Sequence, residues 1–543
     1  MSIRPHAIET KTGLLFVACF CLCSAGMGQE NLENPEESLS SDAPQTQIEI
    51  SPETTVLTTP LDERGYLHVG GAINDFLKAR VEHEDNAAVD FLKALGGRAE
   101  GQEMTYACEQ LGIEIPAETD KFVKSVRLFA TQQGWSDQRM LQLGEDVSEC
   151  PSRVWKADDF PDLKLYLDEC EPGFRWIDAS VRKSGWYVPR DAKGESIIML
   201  SLAEVQEARN VARGLGSRVT LKVGEARYME AWRDIVLMRG LARKIAQGPT
   251  LIEGLIGVAI EGMACRSTMI WLQNLPESFD EFGEPLEAVA ELGPMPSLST
   301  NLLLERLMFV DTIQMMAQGS EKINELGGLG LMPSQGPNFA AVFTQLTRFA
   351  KPDWNQVLLS ANDYYDRLEV AYLAATAKER RERLAELEEE LEQRSENVQQ
   401  VSENPLRLAS WVLLPKRARR ESTELITDAL FSLLLPALTA VEQAATRNLN
   451  DQAVTALAIK IFDERANAGE FPESLNAMRL KAREFRWRDF ASDQPYEYGR
   501  QGRGFILYNL GQNGVDDGGP VSEGEQKWDD FGINFTGFKP SPQ

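Results

Sequence analysis

Apolar residues recur every three or four positions from residue 65 to about residue 375, which is the spacing that one buried face of an α-helix produces. Residues 86–95 (NAAVDFLKAL) and the stretches 202–221 and 228–246 each carry one such apolar face. The pattern therefore predicts a mainly α protein, built as an irregular array of helical hairpins or as a bundle.

A glycine separates the last two of these stretches, as expected for a corner between two helices. Residues 224–231 (GEARYMEA) are similar to the start of the second helix of a tetratricopeptide repeat, in which small residues let the helices approach and Tyr228 fills the corner. No clear copy follows at the period of about 34 residues that such repeats have. We therefore predict an irregular array or bundle and no regular repeat.

Residues 368–420 form a charged segment with a different period. Its apolar residues fall on heptad a and d positions, with Glu and Arg between them. These positions are Val370, Leu373, Ala377, Leu384, Leu387, Leu391, Val398 and Val401. The pattern predicts one coiled-coil-like helix, which packs within the chain, pairs with a second copy, or lies as a solvated helix against the body.

The pattern changes again in the last fifth of the chain. One long helix is predicted from about residue 423 to residue 468, with Pro436 inside it. Alternation around residues 495–498 (PYEY) and 504–508 (GFILY) predicts a pair of strands. Residues 511–519 (GQNGVDDGG) predict a loop that directs several oxygen atoms inward.

This C-terminal module, residues 421–543, resembles the major pseudopilin of type II secretion systems. The matching places are 433–438 (LLLPAL), Phe471-Pro472, Pro495-Tyr496 and Gly518-Gly519. The resemblance implies a small α+β module with a long helix, a small sheet and a closing loop that binds calcium. The chain departs from the family because its apolar helix lies mid-chain and no prepilin cleavage site precedes it. The full layout resembles a group of exported bacterial proteins of unknown activity.

The resemblance also implies a set of calcium ligands. The acidic loop positions of the family fall on Asn513, Asp517 and the pair Asp529 and Asp530, and Asp516 supplies a further oxygen. Calcium takes about six to eight oxygen ligands. We therefore predict a calcium site in this loop, with a polar turn as the alternative, because Asn-Gly and Asp-Gly are common turn formers.

The first 28 residues have the arrangement of a secretory signal peptide, with basic residues first, then an apolar run, then small residues. Arg4 and Lys11 precede an apolar run at residues 14–23, and small residues follow at 24–26 and 28. We predict removal of residues 1–28 and export to the periplasm, the envelope or the medium. An uncleaved membrane anchor is the alternative.

Two further segments bear on the membrane. Residues 29–65 are rich in Glu, Ser, Thr and Pro, which predicts a disordered acidic spacer. The most apolar later run, residues 251–264, carries Glu253 and Glu261, so no transmembrane span is predicted in the mature chain.

The composition of the chain indicates which classes of binding partner are unsuitable. The formal net charge is −27, which argues against nucleic acid because phosphate binding needs clustered Lys and Arg. With 43% hydrophobic residues the chain can build a large core. We predict a helical body over residues 66–367, followed by the charged helix with its linker (368–420) and the C-terminal module (421–543).

Four cysteines remain after the signal peptide: Cys108, Cys150, Cys170 and Cys265. In an oxidising compartment they can form two disulfides, in three pairings. Cys150 and Cys170 bracket a short segment and are the preferred pair. Buried free thiols are the alternative.

Histidine is scarce in the mature chain, where only His68 and His83 remain. A Ser-His-Asp, Cys-His or His-rich zinc site would have to use one of them. Neither lies in a motif, so we interpret both as packing or surface residues.

These observations favour an exported, non-enzymatic scaffold or interaction protein of the cell envelope, with envelope proteins as partners. The alternative is a hydrolase of envelope polysaccharide that uses two carboxylates, with Trp155, Trp176 and Trp186 stacking on sugars. A component of a secretion system is the third hypothesis.

Overall fold

Fifteen α-helices account for most of the residues that the computed structural model describes. The described residues are 47–99, 102–191, 197, 202–318, 352–402, 415–434, 438–478, 488–490, 494–511, 515–516, 518–520 and 530–538. A small antiparallel sheet lies near the C-terminus. The prediction of a mainly α protein with a small C-terminal sheet is therefore confirmed. The predicted signal peptide lies outside the described residues.

The helices of the first half are α1 (Val69–Lys78), α2 (Ala87–Ala94), α3 (Thr105–Gln110), α4 (Val126–Gln132), α5 (Asp137–Glu149), α6 (Pro161–Val181), α7 (Ala203–Gly224), α8 (Tyr228–Ile245) and α9 (Leu251–Gln273). The others are α10 (Gly283–Glu291), α11 (Leu302–Ala317), α12 (Trp354–Tyr372), α13 (Ala377–Ser402), α14 (Pro415–Leu434) and α15 (Leu438–Ala468). Strand β1 (Arg98–Ala99) pairs antiparallel with strand β2 (Gln102–Glu103).

Local sequence signals fix where several of these helices begin and turn. Thr250 and Glu253 form a capping box that starts α9, because each side chain binds the backbone N–H of the other residue. At the predicted corner after α7, a Cβ atom on Gly224 would lie 2.1 Å from the carbonyl oxygen of Trp155. Glycine is therefore needed there for close packing, and Ala226 turns the chain with a φ of 57°.

The C-terminal sheet contains the predicted strand pair and one strand more. β3 (Glu497–Gln501) pairs with β4 (Gly504–Asn509), with Tyr498 opposite Leu507. β5 (Phe531–Phe535) pairs with the other edge of β4 and places Ile533 opposite Leu507. The sequence did not predict β5 because Gly and Asn weaken its strand propensity.

The first hydrophobic core is built from α2 and α6–α9 together with α15 and the C-terminal sheet. Phe462 of α15 lies at its C-terminal end, 5.6 Å from the ring of Phe505 and 5.0 Å from that of Phe535. Its ring also lies 6.2 Å from that of Phe282, at the start of α10. The sheet is thus fixed to the helical body by one aromatic cluster.

The second core joins residues 48–73 to α11, α12, α13 and α14. Leu251, the first residue of α9, belongs to this core, whereas Ile256 and Ile260 of the same helix belong to the first. Each core contains residues from both sides of the predicted domain boundaries at 368 and 421, so these boundaries do not separate the cores. Residues far apart in sequence share each core, and a pattern read along the chain cannot show which of them meet.

The predicted spacer fails for residues 47–65. Ile48 is 2% exposed in the second core, and the Glu49 backbone N–H donates to Asn355 Oδ1 at 2.9 Å. The indole N–H of Trp354 donates to Gln47 Oε1 at 3.3 Å. A segment with few apolar residues becomes ordered here because α12 provides its partners.

The predicted charged helix is present as α13 but starts later than its apolar pattern indicates, because the chain breaks between α12 and α13. Val370 and Leu373 at the end of α12 are 55% and 63% exposed, whereas Leu384 and Leu387 of α13 are buried in the second core. The apolar positions of α13 are therefore used within the chain. The predicted helix over 423–468 likewise corresponds to two helices, α14 and α15.

Candidate functional site

The predicted calcium loop is only partly within the described residues, since Asn513, Asp517 and Asp529 lie outside them. Asp516 Oδ1 accepts from the Tyr508 hydroxyl and from the Gly518 N–H, both at 2.9 Å. Asp530 Oδ2 accepts from the N–H of Gly519 at 3.0 Å. The two carboxylates thus bind neighbouring backbone amides of one turn.

These contacts organise the turn around two glycines with positive φ, 93° at Gly518 and 90° at Gly519. In the part of the chain that the structure describes, no group of three or more His, Cys, Asp or Glu side chains is arranged to hold a metal ion. Calcium binding stays a prediction, with Asp516 and Asp530 in one turn as its structural support.

Calcium at millimolar concentration is expected to raise the melting temperature of the full chain by about 2–5 °C relative to chelator, because a ligand bound only by the folded state stabilises it. Asp517→Ala should abolish this difference, and Asp120→Ala, at an exposed site elsewhere, should retain it. The full chain is needed because the sheet shares its core with α9 and α10. Equal melting temperatures with and without calcium would leave the loop a polar turn.

A buried ion-pair network joins the segment before α7 to the start of α9. Arg190, 4% exposed, pairs with Glu204 and, at 2.8 Å, with Glu253 Oε1. Glu253 Oε2 also accepts from the backbone N–H and the hydroxyl of Thr250, at 3.0 and 2.8 Å. The guanidinium of Arg190 thus compensates the charges of two buried carboxylates. One of these carboxylates, Glu253, also caps the start of α9.

Glu305 of α11 adds a third carboxyl beside this network. Its Oε1 accepts the N–H of Leu251 at 3.1 Å. Burial raises the pKa of Glu305 to about 7, and the nearby Glu253 carboxylate contributes to the increase. Glu305 therefore changes its charge near neutral pH, although its side chain is only partly exposed to solvent.

A second buried network joins α8 to α9. Glu261 is fully buried and accepts from Arg239 and Arg243, each at 2.8 Å. Arg243 also donates to the carbonyl oxygen of Gly293. Arg239 lies 3.8 Å from the Cys265 sulfur. The two arginines of one helix thus hold one carboxylate of the next.

Asp451 of α15 is the third unusual carboxyl. Asn509 of β4 donates to its Oδ1 at 3.4 Å. Burial raises the pKa of Asp451 to about 7. Burial also raises the pKa of the Cys265 thiol to about 12, and the Glu261 and Asp451 carboxylates add to that increase, so Asp451 lies near Cys265 between α9 and α15.

The predicted Cys150–Cys170 disulfide is wrong. Cys108, Cys150, Cys170 and Cys265 are all buried free thiols. Burial raises the pKa of Cys170 to about 12, so this thiol stays protonated and unreactive at neutral pH. The alternative of buried thiols, left open by the sequence, describes all four cysteines.

Two of the three tryptophans proposed for sugar stacking are core residues. Trp155 donates its indole N–H to the Ser217 carbonyl oxygen at 3.1 Å, and the ring of Trp186 lies 5.4 Å from that of Phe91. Trp176 is 42% exposed. The Lys93 ammonium lies over its ring, 5.0 Å from the centroid, whereas the other two rings serve packing.

The two histidines have structural positions. His68 caps α1, since its Nδ1 accepts the Gly71 N–H at 3.0 Å. His83 lies in a short, exposed 3₁₀ turn. The interpretation of both as packing or surface residues therefore agrees with their environments.

Helix α9 is, by length and composition alone, apolar enough to cross a membrane. In the fold it is surrounded by α7, α8 and α15, and its Glu253 and Glu261 are paired with arginines. An apolar helix at the centre of a core satisfies the same criteria, so this helix is weak evidence for a span.

Comparison with protein-family models, with curated proteins and with solved structures gives no significant match for this chain.

Sequence reasoning did not select Arg190, Glu305 or Asp451. The signal available for Glu305 was a charged residue inside an apolar helical run, residues 302–310 (LLLERLMFV). Glu253 and Glu261 are also charged residues inside an apolar run, but the sequence pattern could not identify the arginines that pair with them.

Proposed function

We propose that this chain is an exported scaffold or interaction protein of the cell envelope, with no catalytic role. The observation that carries the proposal is the use made of its buried charges. Buried carboxylates form ion pairs with Arg or Lys of a different element and so join the helices to one another. Those with such pairs are Asp90, Glu204, Asp234, Glu253, Glu261, Asp428 and Glu442.

Such pairs fix the relative positions of helices more than they add stability, since desolvation offsets much of the attraction. A framework of this kind suits a protein that presents a surface to others. The outer face of α13 is one such surface, because its glutamates at 382, 386 and 389 are exposed while its leucines face the core.

The proposal is tested by cross-linking the mature protein in an envelope fraction. We expect the chain to begin near Gln29 on N-terminal sequencing and to cross-link to envelope proteins. The triple variant Glu382→Lys, Glu386→Lys and Glu389→Lys should reduce cross-linking by about tenfold, because each substitution replaces a negative charge on this surface with a positive one.

The matched control makes the same charge change at exposed glutamates beside the first core, at residues 109, 114 and 118. This control should cross-link like the wild type. Equal loss in both triple variants would indicate a general charge effect and contradict a role for α13. A chain that starts at Met1 in the cytosol would contradict export.

A carboxylate-based hydrolase is the second candidate, because the partly buried Glu305 and the buried Asp451 are carboxyls with a raised pKa. Glu305 contacts Leu251 and Asp451 lies near Cys265. These two positions of α9 are roughly 20 Å apart at about 1.5 Å per residue, whereas glycosidases place their carboxyls about 5–10 Å apart. The spacing argues against a shared active site. Release of reducing sugar from envelope polysaccharide, lost in Asp451→Asn, would restore this candidate.

A component of a secretion system is the third candidate. Its support is the order of a long helix, α15, followed by an antiparallel sheet, as in the major pseudopilin. In this chain α15 packs against α9 and the sheet, so its apolar face is already occupied. Calcium-dependent stability of the C-terminal loop would favour this candidate.

A further inference from the structure

The two hydrophobic cores meet at the first turn of α9, and the contact there is polar. Asn301, the residue before α11, donates its side-chain amide to the carbonyl oxygens of Ala246, at 3.2 Å, and of Gly248. Glu305 of α11 accepts the N–H of Leu251. The second core therefore holds the corner between α8 and α9 through two side chains of one helix turn.

This junction has more carboxyls than cations. Glu253 and Glu204 share the single guanidinium of Arg190, and Glu305 adds a third carboxyl. Arg306, next in sequence, is directed toward α12, where it binds Asn362 and Asp366, each at 2.7 Å. An ionised Glu305 would thus lie beside Glu253 without an arginine partner among the described residues.

The other elements around α11 add no compensating cation in the described residues. On α12, Tyr365 is fully buried, and the interaction with Glu305 adds to the increase that burial causes in its pKa. On α1, the acidic Asp75 and the basic Lys78 are both exposed to solvent. On α14, Asp428 pairs with Arg394. None of these groups offers Glu305 a counter-charge, because each is neutral, acidic, already paired or exposed to solvent.

Asn301 provides an independent observation. Its Oδ1 is buried and has no hydrogen-bond donor among the described residues. A Cβ atom on Gly254 would lie 2.6 Å from this oxygen, so the amide faces the same first turn of α9 that Glu305 binds. A neutral Glu305 brings an O–H donor to this turn, which is what the unsatisfied oxygen lacks.

We propose that Glu305 is a protonation switch that controls how firmly the second core holds the first turn of α9. The neutral carboxyl lets α11 pack against α9, with its O–H as a donor at a site that lacks one. The ionised carboxyl repels Glu253 and weakens this contact.

Hydrogen exchange of the full chain tests the switch. In the folded chain the Glu305 pKa is about 7, against 4.5 for the ordinary carboxyl. The exchange rates are first corrected for the intrinsic effect of pH. Protection of a peptide covering 251–255 should then fall about tenfold per pH unit between these two pKa values, roughly 300-fold in all, and level off above the higher one. A peptide from α6 should show no such fall, since the opening is local.

The decisive variant is Glu305→Gln, which imitates the neutral form and should keep high, pH-independent protection at 251–255. Glu291→Gln makes the same change at an exposed site and should retain the wild-type profile. A flat profile in the wild type would overturn the proposal, even if Glu305→Gln failed to fold. Equal pH dependence in Glu305→Gln, or a fall shared by α6, would also overturn it.

Discussion

Replacing Glu261 with alanine is expected to lower the free energy of unfolding by about 3–5 kcal/mol, because it leaves buried arginines without a counter-charge. Glu261 is fully buried and compensates both Arg239 and Arg243. Alanine also leaves a cavity between α8 and α9. The change is measured by equilibrium denaturation near neutral pH.

Glu277→Ala is a closely matched control. Glu277 also pairs with two arginines, Arg465 at 3.1 Å and Arg503 at 3.5 Å, but it is 57% exposed. Solvent screens such pairs, so we expect a loss of at most about 1 kcal/mol. Adding Arg239→Met to Glu261→Ala should recover part of the loss, since it removes one uncompensated charge. Equal losses for the two glutamates would contradict the assignment of Glu261 to a buried network.

Replacing Asp451 with asparagine is expected to make the chain more stable than the wild type at alkaline pH and nearly as stable in acid. The pKa of Asp451 is about 7 in the folded chain, against 3.8 for the ordinary carboxyl. Between these values the folded state binds a proton that the unfolded state has released. Raising the pH therefore destabilises the wild type across this window and has no further effect above it.

The asparagine variant lacks this ionisation while keeping an oxygen for Asn509 to donate to. The stability difference between variant and wild type should grow by about 3 kcal/mol from about pH 4.5 to about pH 8. Denaturant melts at several pH values measure it. Asp280→Asn, at an exposed site, is the matched control and should show no such growth. A constant difference would show that Asp451 stays ionised throughout.

The site residues were harder to predict than the elements that carry them. The capping pattern of Thr250 and Glu253 is visible in the sequence, because the two residues are three positions apart. The pairing of Glu253 with Arg190 is not, since 63 positions separate them. For Glu305 the sequence shows a charge in an apolar helix but not whether a cation faces it, and that decides its pKa.

The sequence by itself determined the elements whose signals are local. Helices α2, α7 and α8 follow from one apolar face each, and β3 with β4 follows from alternation across a short turn, because backbone geometry repeats over a few residues. The tertiary structure alone decided which of these elements meet. It ordered residues 47–65 against α12, turned the leucines of α13 inward and left the cysteines as separate thiols. Each of these outcomes depends on contacts between distant segments, and burial, rather than local propensity, supplies their free energy.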